Sequence, residues 1–423
     1  MTDPSDPLVV EYVEPVDGLT VVRQSPPASA GSFSATYIGP AGHAYDPQHR
    51  EGLALLTSNL VGSGAGPLGR VAFAQALDRL GATFSTSLDP ESVELTVWGP
   101  ESAREKALDL WALAVTRPRF SQEDIARVRR QVLERQLREI SQPDSRCERE
   151  LHRAVFPRGH PYRETGLGTA DSVRRISAED LQRFHREHFT REGGAVIVTS
   201  RASSTQLRRA LRRRLEPLGK QAAPPRPEIP KPIPLGEPTR RVVMRGRAQV
   251  EIRMGGLSIP RDDPEYTAAY LANEVLGGRP LMSRLFQNVR EEHGLAYGCS
   301  SDLEALRWGG MWQVHAGTGP DREKAVVPLL ESEVRRIRDD LIPRDELDGI
   351  RESALGEIPL QTETTTGAHS LAVEVAWYGL PADFYRTWPK HLKELEPASV
   401  RSAAQRAFDT RYTATVIAGS NTD

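Results

Sequence analysis

Ser32-Phe33-Ser34-Ala35-Thr36-Tyr37-Ile38-Gly39 alternates in the manner of a half-buried strand, and Gln249-Val250-Glu251-Ile252-Arg253-Met254-Gly255-Gly256 repeats that pattern in the second half of the chain. Each run leads into a helix that ends near a glycine turn. The first helix is expected over 48–61, before Gly62, and the second stops at Gly277-Gly278. Towards the end of each half, Leu181, Phe189 and the Val196-Ile197-Val198 strand recur as Val400, Phe408 and Val416-Ile417. The offsets are 400 − 181 = 219, 408 − 189 = 219 and 416 − 196 = 220. A near-constant offset points to duplication of one unit of about 210 residues, which is repeat detection applied at domain scale. Strands clustered apart from grouped helices predict an α+β fold: two homologous domains, each a mainly antiparallel sheet with helices on one face.

Between the halves lies Pro224-Pro225-Arg226-Pro227-Glu228-Ile229-Pro230-Lys231-Pro232-Ile233-Pro234. Proline forbids helix and favours extended polyproline conformation, so 220–236 reads as a semi-rigid linker. The expected division is an N-terminal domain at 1–219 and a C-terminal domain at 237–423.

The 423 residues suffice for two domains with real cores. Lys and Arg number 55 against 57 Asp and Glu, a net charge of −2, which argues against a basic nucleic-acid footprint. Arg208-Arg209-Ala210-Leu211-Arg212-Arg213-Arg214 reads first as a solvated helix face. The two cysteines, Cys147 and Cys299, are far apart and form no metal or disulfide motif. The first residues show no basic region followed by an apolar run, and no window approaches about 18 continuous apolar residues, so neither a signal peptide nor a membrane span is expected. A cytoplasmic location is the default.

Two further stretches bear on chemistry. Ser283-Arg284-Leu285-Phe286-Gln287-Asn288-Val289-Arg290-Glu291-Glu292-His293-Gly294-Leu295-Ala296-Tyr297 follows Leu276-Gly277-Gly278 and sets Arg290 and Tyr297 seven residues apart. Taken alone, Arg290 could form a salt bridge and Tyr297 could pack a strand. The other stretch is Gly52-Leu53-Ala54-Leu55-Leu56-Thr57-Ser58-Asn59-Leu60-Val61-Gly62-Ser63-Gly64.

Together these stretches resemble the insulinase/pitrilysin family of zinc peptidases, of the processing-peptidase type. His160-Pro161-Tyr162, Gly168-Thr169 and Ala316-Gly317-Thr318 add matches in the right order, and the likeness spans roughly Gly31 to Ser420. The family's inverted His-x-x-Glu-His helix follows Gly-Leu-Ala and precedes a glycine, a frame that Gly52-Leu53-Ala54 and Gly64 supply. Within it, Leu55 and Asn59 stand where the family has histidines, Ser58 where it has the catalytic Glu, and Gln136 where its distal Glu falls. His at i and i+4 would share one helix face as zinc requires, but a leucine cannot ligate and a serine is no base at neutral pH. Arg290 and Tyr297 match the spacing of the family's Arg/Tyr pair.

Other constellations read blandly. His185 and His188 are taken as a surface helix end whose cationic rings suit the helix dipole, and Glu148, Glu150 and His152 as an exposed face. His43 and His49 read as exposed loop histidines. Gly62–Arg70 is glycine-rich but lacks the Gly-Lys-Ser/Thr ending of a phosphate loop.

The resemblance implies one half of a clamshell and a non-zinc-binding subunit of a heterodimeric metallopeptidase. Arg290 and Tyr297 would serve substrate binding and oxyanion stabilisation, with no cofactor in this chain and zinc in a homologous partner subunit. The expected substrate is a peptide or unfolded polypeptide, with no nucleic acid and no membrane. A non-catalytic structural subunit and a peptide-binding homodimer of the same fold stay open as alternatives.

Overall fold

The computed structural model describes residues 6–231 and 239–419, and divides into two compact units. The first comprises residues 1–136, 165–227 and 357–388, and the second 137–164, 228–356 and 389–423.

In the first unit the strands are β1 (Val10–Val16), β2 (Leu19–Gln24), β3 (Ser32–Gly39), β4 (Thr83–Leu88), β5 (Val93–Pro100) and β6 (Ala195–Thr199). They hydrogen-bond in the order β1-β2-β6-β3-β5-β4, antiparallel except for β2 with β6. Alternation in β3 sends Phe33, Ala35 and Tyr37 into a core shared with Leu56 and Leu60 of helix Leu53–Val61 and with Trp111 of helix Arg104–Thr116. Trp111 is fully buried and donates its indole N–H to the Leu95 carbonyl at 2.8 Å. Burying the ring while satisfying its one donor makes it an anchor whose truncation to Ala costs about 3–5 kcal/mol.

The opposite face of the sheet carries Ser34 and Thr36, and helix Thr365–Tyr378 lies against it. That helix comes from the other half of the sequence.

In the second unit the strands are β7 (Thr239–Val243), β8 (Val250–Ser258), β9 (Ala296–Leu306), β10 (Gly309–Thr318) and β11 (Ala414–Gly419), in the order β9-β10-β8-β11-β7. The β11/β7 pair is parallel and the rest antiparallel. Reversed, this order matches β2-β6-β3-β5-β4 of the first unit, strand for strand in direction. Helix Pro143–Val155 packs on one face of the sheet, with Cys147 and Leu151 among Val416, Ala418 and Met311. Trp312 points to the other face, where its ring lies 5.7 Å from that of Phe408.

The duplication read from the sequence is thus repeated in the topology. Helices Ala178–His188 and Pro397–Ala407 start 397 − 178 = 219 residues apart, and Pro143–Val155 and Thr365–Tyr378 start 365 − 143 = 222 apart. The α+β class holds. The contiguous division at the linker does not coincide with the compact units, because 137–164 belongs with the second and 357–388 with the first. Each sheet carries helices on both faces, where helices on one face were expected, and an apolar helix stripe does not itself specify which sheet it covers. The linker's residues 220–231 have no regular secondary structure, and its residues 232–236 lie outside those described.

Candidate functional site

Helix Leu53–Val61 is the counterpart of the expected 48–61 helix and starts five residues later. Gly52 adopts φ +96°, which no L side chain holds comfortably, and its turn breaks the helix there. The Asp46 carboxylate then accepts from the Gly52 and Ala54 N–H groups, each at 2.7 Å, so the first turn is capped from outside. Burial pushes the Asp46 carboxyl up to about 7.

Leu55, Ser58 and Asn59 all lie on this helix. Leu55 is half-buried against the core, Ser58 is buried and Asn59 is exposed. Gln136 lies near the C-terminal end of helix Gln122–Ser141 and is buried. Its amide donates to the Leu167 carbonyl at 2.7 Å and the Gly168 carbonyl at 3.2 Å. The Leu167 carbonyl also lies 3.1 Å from where a Cβ on Gly52 would stand, so Gln136 pins the loop that closes over the helix start. A glutamate could not make those two donations.

Zinc does not fit this set. Leu55 offers no donor atom, and the donating amide of Gln136 is spent on backbone carbonyls. Among the described residues, three metal-capable side chains with donor atoms within 4.8 Å of one another occur at Asp144, Glu251 and His315, in the second unit. There Arg253 already donates to Asp144 at 2.7 Å and His315 Nε2 lies 2.8 Å from a Glu251 oxygen, so these groups already contact one another and Arg253.

Arg290 and Tyr297 belong to the second unit. The segment Phe286–Glu292 is a π-helical turn, a wide winding that recurs at functional sites because it redirects side chains. The Gly294 N–H donates to the Arg290 carbonyl at 3.1 Å and the Leu295 N–H to the Val289 carbonyl at 3.0 Å, so the chain doubles back directly into β9. In β9 the register slips between Ala296 and Gly298, placing Tyr297 at a bulge, with its side chain 64% exposed. Arg290 is exposed too. Its guanidinium lies over the Phe286 ring at 4.9 Å and makes no ion pair among the described residues. Burial pushes the Cys299 thiol up to about 11, opposed by the Arg290 charge, which places Arg290 beside the start of β9. The π turn is held from behind: Gly277 packs so closely on β9 that an added Cβ would stand 2.4 Å from the Ser301 nitrogen.

Several histidine readings change. His185 Nε2 lies 2.9 Å from the Val115 carbonyl and His188 Nδ1 3.2 Å from that of Pro40. Burial lowers both, His185 to about 4, so they are neutral rings packed at a helix end and not cations on a surface. His152, lowered by burial, turns inward to the Tyr162 carbonyl at 2.9 Å. His43 is half-buried, while His49 is exposed as expected.

Sequence reading passed over a cavity of about 700 Å³ in the first unit, lined by β5 and helix Thr365–Tyr378. Its signal was legible in Val93-Glu94-Leu95-Thr96-Val97-Trp98, where one face of a strand is apolar and the other carries Glu94 and Trp98. Which helix would roof that second face was not legible.

Residues 20–169 match the family model described as insulinase (peptidase family M16), and residues 175–354 the one described as peptidase M16 inactive domain. Similar chains include an uncharacterized zinc protease of Mycobacterium leprae, 26% identical over 404 residues covering 95% of this chain and 89% of the relative. The non-peptidase homolog YmxG of Helicobacter pylori is 22% identical over 357 residues, covering 84% and 81%. A solved peptidase M16 inactive domain from Pseudomonas fluorescens superposes with a TM-score of 0.91 at 23% identity, covering 97% of this chain and 98% of that one. A protease from Helicobacter pylori gives 0.87 at 18%, covering 96% and 98%. Among the described residues no helix is long and apolar enough to cross a membrane. With the two family models falling in order along the chain, the protein belongs to the insulinase family, peptidase family M16.

Proposed function

We propose that this chain is the non-zinc-binding subunit of a two-subunit metallopeptidase, and that it supplies Arg290 and Tyr297 to a homologous partner that carries the zinc. The observation that carries this reading is a contrast within the chain. Gln136 at the zinc-type position is spent on structure, whereas Arg290 and Tyr297 are exposed and hydrogen-bond to no side chain among the described residues. A structural arginine is ordinarily paired, and a structural tyrosine ordinarily buries its ring.

The chemistry suits peptide hydrolysis. The planar guanidinium of Arg290 offers a rigid fork of donors to a peptide carbonyl, and the Tyr297 hydroxyl can donate to the oxyanion that develops when an amide is attacked. Zinc, where the partner holds it, supplies the activated water. β4 pairs on one side only within the first sheet and leaves an edge on which an extended peptide can add as a strand. The non-peptidase description of the Helicobacter relative is consistent with a subunit inert by itself.

The test is hydrolysis of an unfolded polypeptide by the purified chain alone, by a homologue with an intact zinc motif alone, and by the two mixed. Activity confined to the mixture supports the reading. Activity of this chain alone, or a homologue that is fully active without it, overturns it.

A further inference from the structure

Strand β5 sends Val93, Leu95 and Val97 into the core and Glu94, Thr96 and Trp98 to the opposite face, where helix Thr365–Tyr378 brings Trp377 and Tyr378 to the same cavity. At about 700 Å³ the space matches the range typical of small-ligand pockets. Three carboxylates, Asp89, Glu94 and Glu374, line it, and no Lys or Arg does. Asp89 caps its own turn, accepting from the Glu91 and Ser92 N–H groups, and Glu374 accepts from the Tyr385 hydroxyl. Glu94 has neither hydrogen bond nor ion pair among the described residues, although it is largely withdrawn from water beside the Asp89 charge. The Ser34 hydroxyl, on a residue 1% exposed, also lines the cavity and has no hydrogen-bond partner. A desolvated carboxylate and a buried hydroxyl without partners are both costly unless something completes them.

We propose that this cavity is a binding site for an organic cation, an alkylammonium or alkylguanidinium group. Its cationic group would pair with Glu94 beside Asp89. Ser34 sits opposite Trp98 about 13 Å farther along the paired strands, so a second N–H group of an extended ligand would donate to the Ser34 hydroxyl and lie against the Trp98 indole as a cation–π face. An anion finds no positive partner in the lining. A bare divalent ion needs three close donor atoms, and among the described residues these carboxylates form no such group. The His369 ring at the cavity floor is committed to Thr36 and Thr199, and burial holds it neutral, so it does not compete for Glu94. Burial and the Asp89 charge raise the Glu94 carboxyl to about 7, and a bound cation would return it to the ionised form.

The site is independent of the Arg290/Tyr297 reading, and so is its test. The full chain is titrated with agmatine, with spermidine and with a blocked arginine tripeptide, followed by calorimetry and by tryptophan fluorescence. Saturable binding at or below about 1 mM is expected for at least one probe. It should weaken at least about tenfold in Glu94→Gln and again in Trp98→Leu, as loss of one charge-assisted contact or one cation–π face implies. Preference for the free amines points to a metabolite cation, and preference for the tripeptide to a basic side chain of a bound peptide; both support the site. No saturable binding of any probe, or affinity unchanged in both variants, overturns it. Should Glu94→Gln fail to keep the wild-type circular dichroism spectrum, Trp98→Leu decides.

Discussion

Thr36 Oγ1 lies 2.7 Å from His369 Nε2, a contact between residues 333 apart in the chain and buried within the first unit. On the other side of the ring, His369 Nδ1 is 2.8 Å from the Thr199 hydroxyl, which donates its own proton to Gln24 Oε1 at 2.7 Å. Thr199 can therefore only accept from the ring. The imidazole carries its proton on Nδ1 and accepts from Thr36 at Nε2.

This arrangement has a pH signature. Burial lowers His369 to about 3 from an ordinary 6.5, so the unfolded chain takes up the proton more readily than the folded one. The stabilisation is present in full above about 6.5 and is lost as pH falls towards 3. Going from about pH 7.5 to about pH 5, His369 alone should remove about 2 kcal/mol of unfolding free energy. Urea unfolding of wild type and His369→Gln at both pH values checks this: the drop should be smaller in the variant, with the other buried histidines, among them His185 and His160, still contributing in both.

Arg290 and Tyr297 separate function from stability. Because both side chains are exposed and bear no structural hydrogen bonds, Arg290→Ala and Tyr297→Phe should shift unfolding by less than about 0.5 kcal/mol. In the mixture with a zinc-bearing homologue, Tyr297→Phe should lower kcat by about 10²–10³-fold, the usual effect of one oxyanion donor. Arg290→Lys should not rescue Arg290→Ala, since an ammonium lacks the planar fork.

Gln136→Glu puts an acid where the resemblance expects the family's distal Glu. The carboxylate would face the Leu167 and Gly168 carbonyls that the amide now satisfies. A loss of about 1–3 kcal/mol is expected by chemical denaturation, with no gain in bound zinc by elemental analysis.

In a second π-helical turn, Glu274–Gly278, Gly277→Ala places its Cβ 2.4 Å from the Ser301 nitrogen and 2.7 Å from a Leu285 methyl. Backbone has to move, so a loss of about 1–3 kcal/mol is expected. In the two-subunit assay this variant should lower activity even where it is fully folded, because β9 carries Tyr297.

The thiols should be sluggish in the folded chain. Burial pushes Cys147 up to about 12 and Cys299 up to about 11, so neither is thiolate near neutral pH. Iodoacetamide at about pH 8 should label the half-exposed Cys299 slowly and Cys147 only after denaturation, as mass spectrometry would show.

The repeat, the strand Ser32–Gly39 and the helix over Leu53–Val61 were all legible in the sequence, because period-two alternation and i, i+4 spacing act over a few residues and leave a local pattern. That Leu55 ligates no metal is likewise fixed by chemistry alone, since no fold turns a leucine into a ligand. The histidines were misjudged for the opposite reason: protonation depends on burial, and His185 and His152 are neutral because of what packs around them. Tertiary structure alone set Tyr297 at a β-bulge, exposed Arg290 from a π turn, and gave Gln136 its two carbonyls. It also assigned helix Thr365–Tyr378 to the first sheet and Pro143–Val155 to the second. A helix's apolar stripe records that it must be covered, while which surface covers it is settled only when the whole chain competes to bury its apolar area.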